Sequence, residues 1–157
     1  MEKSEILEYM EIALAEARSC KKDVPVGAVI IQNGAVLSRA HNQKEETNDP
    51  LAHAELLAIR AAAQKLERWR LSDCIIFCTL EPCPMCAEAI IQARIKILVY
   101  GAKDLIAGAA GSAFDLFSKR KALPVPQCIS GIMADECAEE LKKFFREKRA
   151  LEKSESN

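Results

Sequence analysis

CIIFCTLEPCPMC, residues 74–86, joins a strongly apolar segment to a short turn rich in proline and cysteine. Residues 74–80 are apolar on both alternating faces, which is typical of a central strand covered on both sides. Pro82 and Pro84 end this strand, and Pro84 suits the first turn of a helix, where its missing amide hydrogen has no partner to lose. The stretch therefore predicts a strand over 74–80 that leads directly into a helix over 85–93.

The sequence on either side alternates between helical and strand patterns. On the amino-terminal side, Ser4 is an expected helix cap, strands at 26–32 and 35–40 are joined by an Asn-Gly hairpin turn, and a helix follows over 53–66. On the carboxyl-terminal side, we expect a strand over 95–100, a Gly/Ala-rich loop over 101–112, a short strand over 125–129 and a helix over 135–151. One hairpin followed by alternating helices and strands predicts an α/β fold with three layers.

Composition limits the class of protein. The 157 residues are 50% apolar, and 22 basic residues nearly balance 23 acidic ones. These values exclude a disordered chain and a protein that binds nucleic acid through overall positive charge. The chain contains no apolar run of about 18–20 residues and its first segment lacks the pattern of a signal peptide. We expect a single domain over 1–153, a polar tail over 154–157 and a cytoplasmic location.

The cysteines favour a metal site over a disulfide framework. Their number, seven, is odd, and no secretory signal accompanies them. Cys83 and Cys86 form a close pair, which indicates metal binding or catalysis. The other five are expected to be small buried side chains: Cys20, Cys74, Cys78, Cys128 and Cys137.

His53 stands thirty residues before Cys83 and completes a possible metal centre. One imidazole and two thiolates make a zinc ligand set, and three protein ligands leave a fourth tetrahedral position open, as in catalytic zinc sites. Cys83 and Cys86, three residues apart, fall on one side of a helical turn, where the positive helix end favours thiolates. Because His53 also opens a helix, we expect two helix starts to meet at the metal.

Glu55 is the candidate catalytic residue. Residues two apart diverge by about 200° along a helix, so His53 and Glu55 can share a site only at a helix end. Zinc lowers the pKa of a bound water to around 7, and Glu55 is predicted to take the proton and deliver it to the substrate. The alternative, a structural zinc site, needs a fourth protein ligand, and neither His41 nor Cys78 has suitable spacing.

These motifs resemble those of the bacterial tRNA-specific adenosine deaminases, the TadA family of the cytidine deaminase-like superfamily, over about residues 5–150. The matching segments are VPVGAV (24–29), Asn42, the D-P-x-A-H-A-E string (49–55), WRL (69–71), TLEPCPMC (79–86), GAKD (101–104), GAAGS (108–112) and the closing helix (131–149). GAAGS and the closing helix point to the tRNA enzymes, because other deaminases share the central motifs.

The resemblance implies a cytidine deaminase-like α/β/α fold with a mixed five-stranded sheet flanked by helices. It implies one zinc ion per subunit, held by His53, Cys83 and Cys86, and a homodimer. The implied reaction is hydrolytic deamination of adenosine to inosine at wobble position 34 of a tRNA anticodon loop. In that reaction hydroxide attacks C6 of adenine and Glu55 protonates N1.

The resemblance also implies that Asn42 and the backbone of Ala54 contact the flipped nucleoside. Asp104, in the Gly/Ala-rich loop, could orient a ribose or exclude wrong substrates, or could be an ordinary turn residue. The implied partner is an RNA loop, with neither a membrane nor DNA expected. Such a loop agrees with the chemistry, because an unpaired base can be turned into a pocket at little cost.

The closing helix carries the predicted RNA contacts. Residues 142–149 contain five positive charges and one negative charge. We expect Lys142, Arg146 and Arg149 to contact the RNA backbone and Phe145 to line the RNA groove. The alternative is an ordinary solvated helix face with Phe145 in the core.

Two other functions remain open at this point. The ligand motif also fits a deaminase of a free base or nucleoside such as guanine, cytosine or cytidine. It also fits a zinc-bearing RNA-binding module without catalytic activity.

Overall fold

The sheet has five strands and is mixed, as predicted. The computed structural model describes residues Met1–Asn157. Its strands are β1 (Gly27–Gln32), β2 (Ala35–His41), β3 (Cys74–Leu80), β4 (Ile97–Ala102) and β5 (Gln127–Ser130). They lie in the order β2-β1-β3-β4-β5, with β1 antiparallel to both β2 and β3, and with β4 parallel to β3 and β5.

Helices cover both faces of this sheet. They are α1 (Lys3–Arg18), α2 (Lys44–Thr47), α3 (Ala54–Leu66), α4 (Pro84–Gln92), α5 (Leu116–Lys119) and α6 (Ala134–Glu155). None of them is both long and apolar enough to cross a bilayer.

Alternating side chains of β3 divide the interior into two cores. Ile76 and Cys78 pack with the alanines and isoleucines of α3 and α4, whereas Phe77 packs with α1 and α6. All three side chains are fully buried. The predicted three-layer arrangement is therefore confirmed, with α3 and α4 in one outer layer and α1 and α6 in the other.

Several element boundaries differ from the sequence prediction. Helix α1 begins two residues earlier and is capped by Glu2, which forms a reciprocal capping box with Glu5 in place of the predicted cap Ser4. Strand β4 starts at 97 because Arg94, with φ 63°, closes the end of α4 and the Ile95 amide still bonds back to that helix.

Two short helices were not predicted: one lies in a segment predicted as a loop, and the other lies in 113–124, to which the sequence assigned no element. Helix α2 lies within 42–50, where Asp23 accepts hydrogen bonds from the amides at its start. Helix α5 follows the Gly/Ala-rich loop and is capped by Asp115. Helix α6 extends through Glu155, and includes the first two residues of the predicted tail, because no glycine or proline interrupts it.

Among the five isolated cysteines, the prediction of burial is correct for Cys74, Cys78 and Cys137. Cys20 is partly buried, and Cys128, on the edge strand β5, is exposed, so the prediction is wrong there. All seven thiols are free.

Candidate metal centre and substrate cavity

The three predicted ligands meet at two helix starts. His53 is the N-cap of α3 and Cys83 is the N-cap of α4, both with extended backbone, and Cys86 follows in the first turn of α4. Their donor atoms all lie within 4.8 Å of one another. A cap residue points its side chain along the helix end, so two caps can converge where mid-helix residues could not.

The spacing of these atoms fits zinc. His53 Nδ1 lies 3.7 Å from Cys83 Sγ and 3.4 Å from Cys86 Sγ. Tetrahedral zinc, with bonds of about 2.0–2.1 Å to nitrogen and 2.3 Å to sulfur, requires a nitrogen–sulfur separation of roughly 3.5 Å. The group contains no fourth ligand. The other histidine, His41, contacts Glu16 instead, with 3.0 Å between its Nδ1 and the carboxylate oxygen. The three side chains can therefore hold a metal ion that keeps a fourth coordination position open.

The three ligand side chains shift one another's pKa values. The pKa of Cys83 falls to about 4, because the Cys86 thiol and the His53 ring both donate hydrogen bonds to its sulfur. The same contact with Cys83, together with burial, raises the pKa of Cys86. The pKa of His53 is raised by its bond to Cys83. Cys83 is therefore the one of the three that most readily supplies a thiolate, whereas a bound cation must displace a proton from Cys86 and from His53.

Glu55 lies in the first turn of α3, beside the ligands. Its side chain is buried, and its Oε2 lies 3.4 Å from Cys86 Sγ. Burial disfavours the charged carboxylate and raises its pKa. A carboxyl group with a pKa nearer neutrality is better suited to move protons in both directions.

A cavity of about 280 Å³ opens above this centre. Its wall includes His53, Glu55 and Cys83 together with two residues singled out from the sequence, Asn42 and Asp104. The volume is close to the lower end of the range for small-ligand pockets, about 300 Å³, so it suits one base or nucleoside.

Asn42 links the cavity wall to the start of α3. Its Oδ1 accepts a hydrogen bond from the Ala54 amide at 2.9 Å, and its Nδ2 donates to the Val24 carbonyl at 3.0 Å. The Ala54 amide is therefore paired within the protein, and the Ala54 side chain is fully buried. Of the two predicted nucleoside contacts, the structure brings Asn42 to the cavity and does not bring Ala54 there.

Asp104 lies both in a turn and in the cavity wall, the two places that the sequence alternatives require. Its Oδ1 accepts hydrogen bonds from the amides of Ile106 and Ala107, at 3.0 and 3.1 Å, which is a turn role. The same residue also lies in the cavity wall, as does Ala107.

The predicted contacts on α6 lie outside the cavity. Phe145, Lys142, Arg146 and Arg149 line a separate surface groove of about 400 Å³, and Arg146 is paired with Glu139. The α6 residues that reach the cavity are its neighbours Phe144 and Lys148. Their spacing of four residues puts them on one face of α6, but Phe145 and Arg149 have the same spacing, so the sequence alone does not distinguish the two faces.

Sequence reasoning also missed three other residues of the cavity wall. Lys22 and Lys44 contribute positive charge from two further segments, and Glu81 contributes a buried carboxylate. The signal for Glu81 is its position, since it is a lone acid between an apolar strand and the proline turn that carries Cys83.

Comparisons with known proteins agree with this site. Residues 3–102 match the family described as "Cytidine and deoxycytidylate deaminase zinc-binding region". The chain is 46% identical to the tRNA-specific adenosine deaminase of Agrobacterium fabrum over 90% of this chain and 94% of that protein. It is 39% identical to the protein of the same name from Bacillus subtilis, over 93% and 92% of the two chains.

A solved structure from a study of A-to-I editing by tRNA:A34 deaminases superposes with a TM-score of 0.83 and 44% identity, covering 85% of this chain and 99% of that one. The fold, the three-ligand centre and these similarities agree, and the chain belongs to the tRNA-specific adenosine deaminase family of zinc-binding deaminases.

Proposed function

We propose that the protein converts adenosine to inosine by hydrolysis at wobble position 34 of a tRNA anticodon loop. We assign one zinc ion to His53, Cys83 and Cys86, and the proton transfers to Glu55. The observation that carries the proposal is the open three-ligand centre with a buried carboxyl group in the same cavity. We further propose that residues 1–153 form one deaminase domain and that 154–157 form a polar tail.

When bound, zinc supplies the Lewis acidity that lets water act as a nucleophile near neutral pH. The chain itself holds the base and moves the protons. Glu55 accepts the proton that the attacking water loses and delivers it to N1 of adenine. The carbon–oxygen bond forms at C6, and the proton of the resulting C6 hydroxyl passes through Glu55 to the amino nitrogen. The bond from C6 to that nitrogen then breaks, C6 becomes the carbonyl of inosine, and ammonia leaves. Adenosine and water thus give inosine and ammonia in balance.

Three lysines of the cavity wall support an RNA substrate over a free base. Lys22, Lys44 and Lys148 come from three different segments and line the cavity beside the acids Asp23, Glu45 and Asp104. Phosphates on either side of a flipped nucleotide are the groups that such lysines attract, whereas a neutral base has no use for them. Phe144, in the same wall, offers a surface on which a base can stack.

The groove further along α6 extends this basic surface. We propose that Lys142, Arg146 and Arg149 contact phosphates farther from the reacting base and that Phe145, which is 41% exposed, packs against the RNA there. The protein as a whole has a formal net charge of −1, so this local positive charge would direct the RNA to one face.

We also propose a homodimer that acts in the cytoplasm. Leu105, Ile106 and Phe114 are large apolar residues with more than half of their surface exposed, as is typical of a surface that another chain covers. Within the single chain, these three side chains remain uncovered. Sedimentation equilibrium tests the subunit number.

The decisive experiment compares substrates on the purified zinc-loaded protein. An anticodon stem-loop with adenosine at position 34 is expected to release ammonia and to yield inosine on digestion, measured by mass spectrometry. The matched control is the same stem-loop with guanosine at that position, which is expected to remain unchanged.

Two results would contradict the proposal. Ammonia release from free adenine, guanine, cytosine or cytidine, with no inosine in the RNA, would identify a base or nucleoside deaminase. Binding of the stem-loop with no ammonia from any substrate would identify a non-catalytic RNA-binding module.

A further inference from the structure

Glu81 is a buried acid to which the reaction above assigns no role. It follows β3 directly and precedes the proline turn that carries Cys83, and its side chain is 1% exposed. No lysine, arginine or histidine forms an ion pair with it. A buried carboxylate without a cation must be stabilised by hydrogen bonds, or its burial would be very costly.

Three backbone amides supply those hydrogen bonds, and all three belong to the Gly/Ala-rich loop. Glu81 Oε2 accepts from the amide of Asp104 at 3.0 Å. Its Oε1 accepts from the amides of Ala110 and Ser112, at 3.0 and 3.1 Å. Converging amides of this kind form a concave site for an anion, and here the anion is a side chain of the same protein.

These bonds join the two walls of the cavity. The segment before Cys83 also bonds to the loop through its backbone, since the Ala109 amide donates to the Pro82 carbonyl at 2.8 Å. The same loop carries Asp104 and Ala107, which line the cavity with Cys83. The carboxylate of Glu81 therefore connects the turn that carries Cys83 to the loop that lines the cavity.

Gly108 shows how closely the loop wraps around this carboxylate. A Cβ atom at position 108 would lie 2.5 Å from the Glu81 carboxyl carbon and 2.5 Å from the Asp104 carbonyl oxygen. Real Cβ atoms do not approach that closely. The Asp104 oxygen belongs to the backbone, and three hydrogen bonds restrain the Glu81 carboxylate. The glycine is required by close approach of the backbone to Glu81.

We propose that Glu81 is a positioning residue for the deamination. Its buried carboxylate holds the 103–112 loop against the metal-bearing turn and so fixes where Asp104 and Ala107 meet the substrate. The proposal rests on the proposed function for its kinetic consequence, but the hold on the loop can be measured on the protein alone. Glu81 does not itself exchange protons with the substrate.

The direct test is Glu81→Gln, an exchange of nearly equal size. The glutamine amide group places a donor where one of the loop amides also donates, so at least one hydrogen bond is lost. We expect the amides of Asp104, Ala110 and Ser112 to exchange with deuterium about tenfold faster or more, whereas the amides of β1 and β3 keep their protection. The matched control is Glu8→Gln, at an exposed glutamate on α1, which should change none of these rates.

The kinetic test separates positioning from chemistry. With the stem-loop substrate, we expect Glu81→Gln to raise KM about tenfold and to change kcat less. Zinc content should stay at one per chain, and the absorption spectrum of the cobalt-substituted protein should be unchanged, because no metal ligand moves. Gly108→Ala disturbs the same contact from the loop side, because the added methyl group meets the Glu81 carboxylate, and it should also raise KM.

Four results would overturn the proposal. They are unchanged exchange at the three amides, loss of protection throughout the sheet, loss of zinc, and a fall in kcat at constant KM. If exchange changes as expected while the wild-type protein deaminates no stem-loop, the hold on the loop stands and the proposed function fails.

Discussion

Two buried glutamates that line the same cavity, Glu55 and Glu81, have different hydrogen-bonding partners. Glu55, at the start of α3, contacts the Cys86 thiol and its own backbone amide. Glu81, at the end of β3, accepts from three amides of a single loop. A carboxyl group whose oxygens accept few hydrogen bonds and whose pKa is raised can move protons. A carboxylate whose oxygens accept several backbone hydrogen bonds is held in place. Hydrogen-bond saturation therefore separates a chemical role from an architectural one.

The largest effect on zinc content and activity is expected from replacing a proposed metal ligand. Cys83→Ala deletes one of three ligands, and we expect the purified protein to lose stoichiometric zinc and all measurable deamination. Elemental analysis and the ammonia assay measure both. Cys128→Ala is the matched control, because Cys128 is exposed on β5 and should leave one zinc per chain. A full zinc equivalent in Cys83→Ala would contradict the ligand assignment.

Glu55→Gln tests the chemical half of the comparison. Glutamine keeps the size of the side chain but cannot accept and release a proton, so kcat should fall about 10²–10⁴-fold with zinc retained. KM should change little, which is the reverse of the pattern expected for Glu81→Gln. Equal falls in kcat for the two variants would show that the two carboxylates are not separated in role.

The smallest effect is expected at an exposed acid, Asp73. Hydrogen bonds from Gln32 and from Arg68 lower its pKa from 3.8. A lowered folded-state pKa stabilises the fold above the unfolded value, and this contribution is lost as pH falls through the folded pKa. Because Asp73 is solvated, Asp73→Asn should cost only about 0.5 kcal/mol at neutral pH.

Urea denaturation of variant and parent, compared at neutral pH and well below pH 3.8, measures this difference. The gap between the two proteins should close at the acidic pH. A neutral-pH cost well above about 1 kcal/mol would contradict the small contribution expected of an exposed ion pair.

The metal side of the cavity could be predicted from sequence because local rules determine it. Proline at a helix start, the three-residue cysteine spacing and a histidine at another helix start each constrain one side chain. The pattern of apolar residues likewise predicted all five strands and the layers around them. These features depend on near neighbours in the chain.

The substrate side depends on contacts that span the chain and could not be read in the same way. Whether Phe144 or Phe145 reaches the cavity depends on the rotation of α6 against the sheet, which composition does not reveal. Glu81 and the loop amides are separated by more than twenty residues. Helix α2 forms because Asp23, from a distant segment, caps it.

Pro84 has a consequence that begins before the chain folds. A proline restricts the residue before it to extended backbone, and Cys83 has this conformation, with φ −69° and ψ 170°. The denatured chain therefore already samples the native backbone of Cys83 much of the time, and less conformational entropy is lost when the ligand is placed. The proline therefore lowers the entropic cost of forming the turn that carries both cysteines.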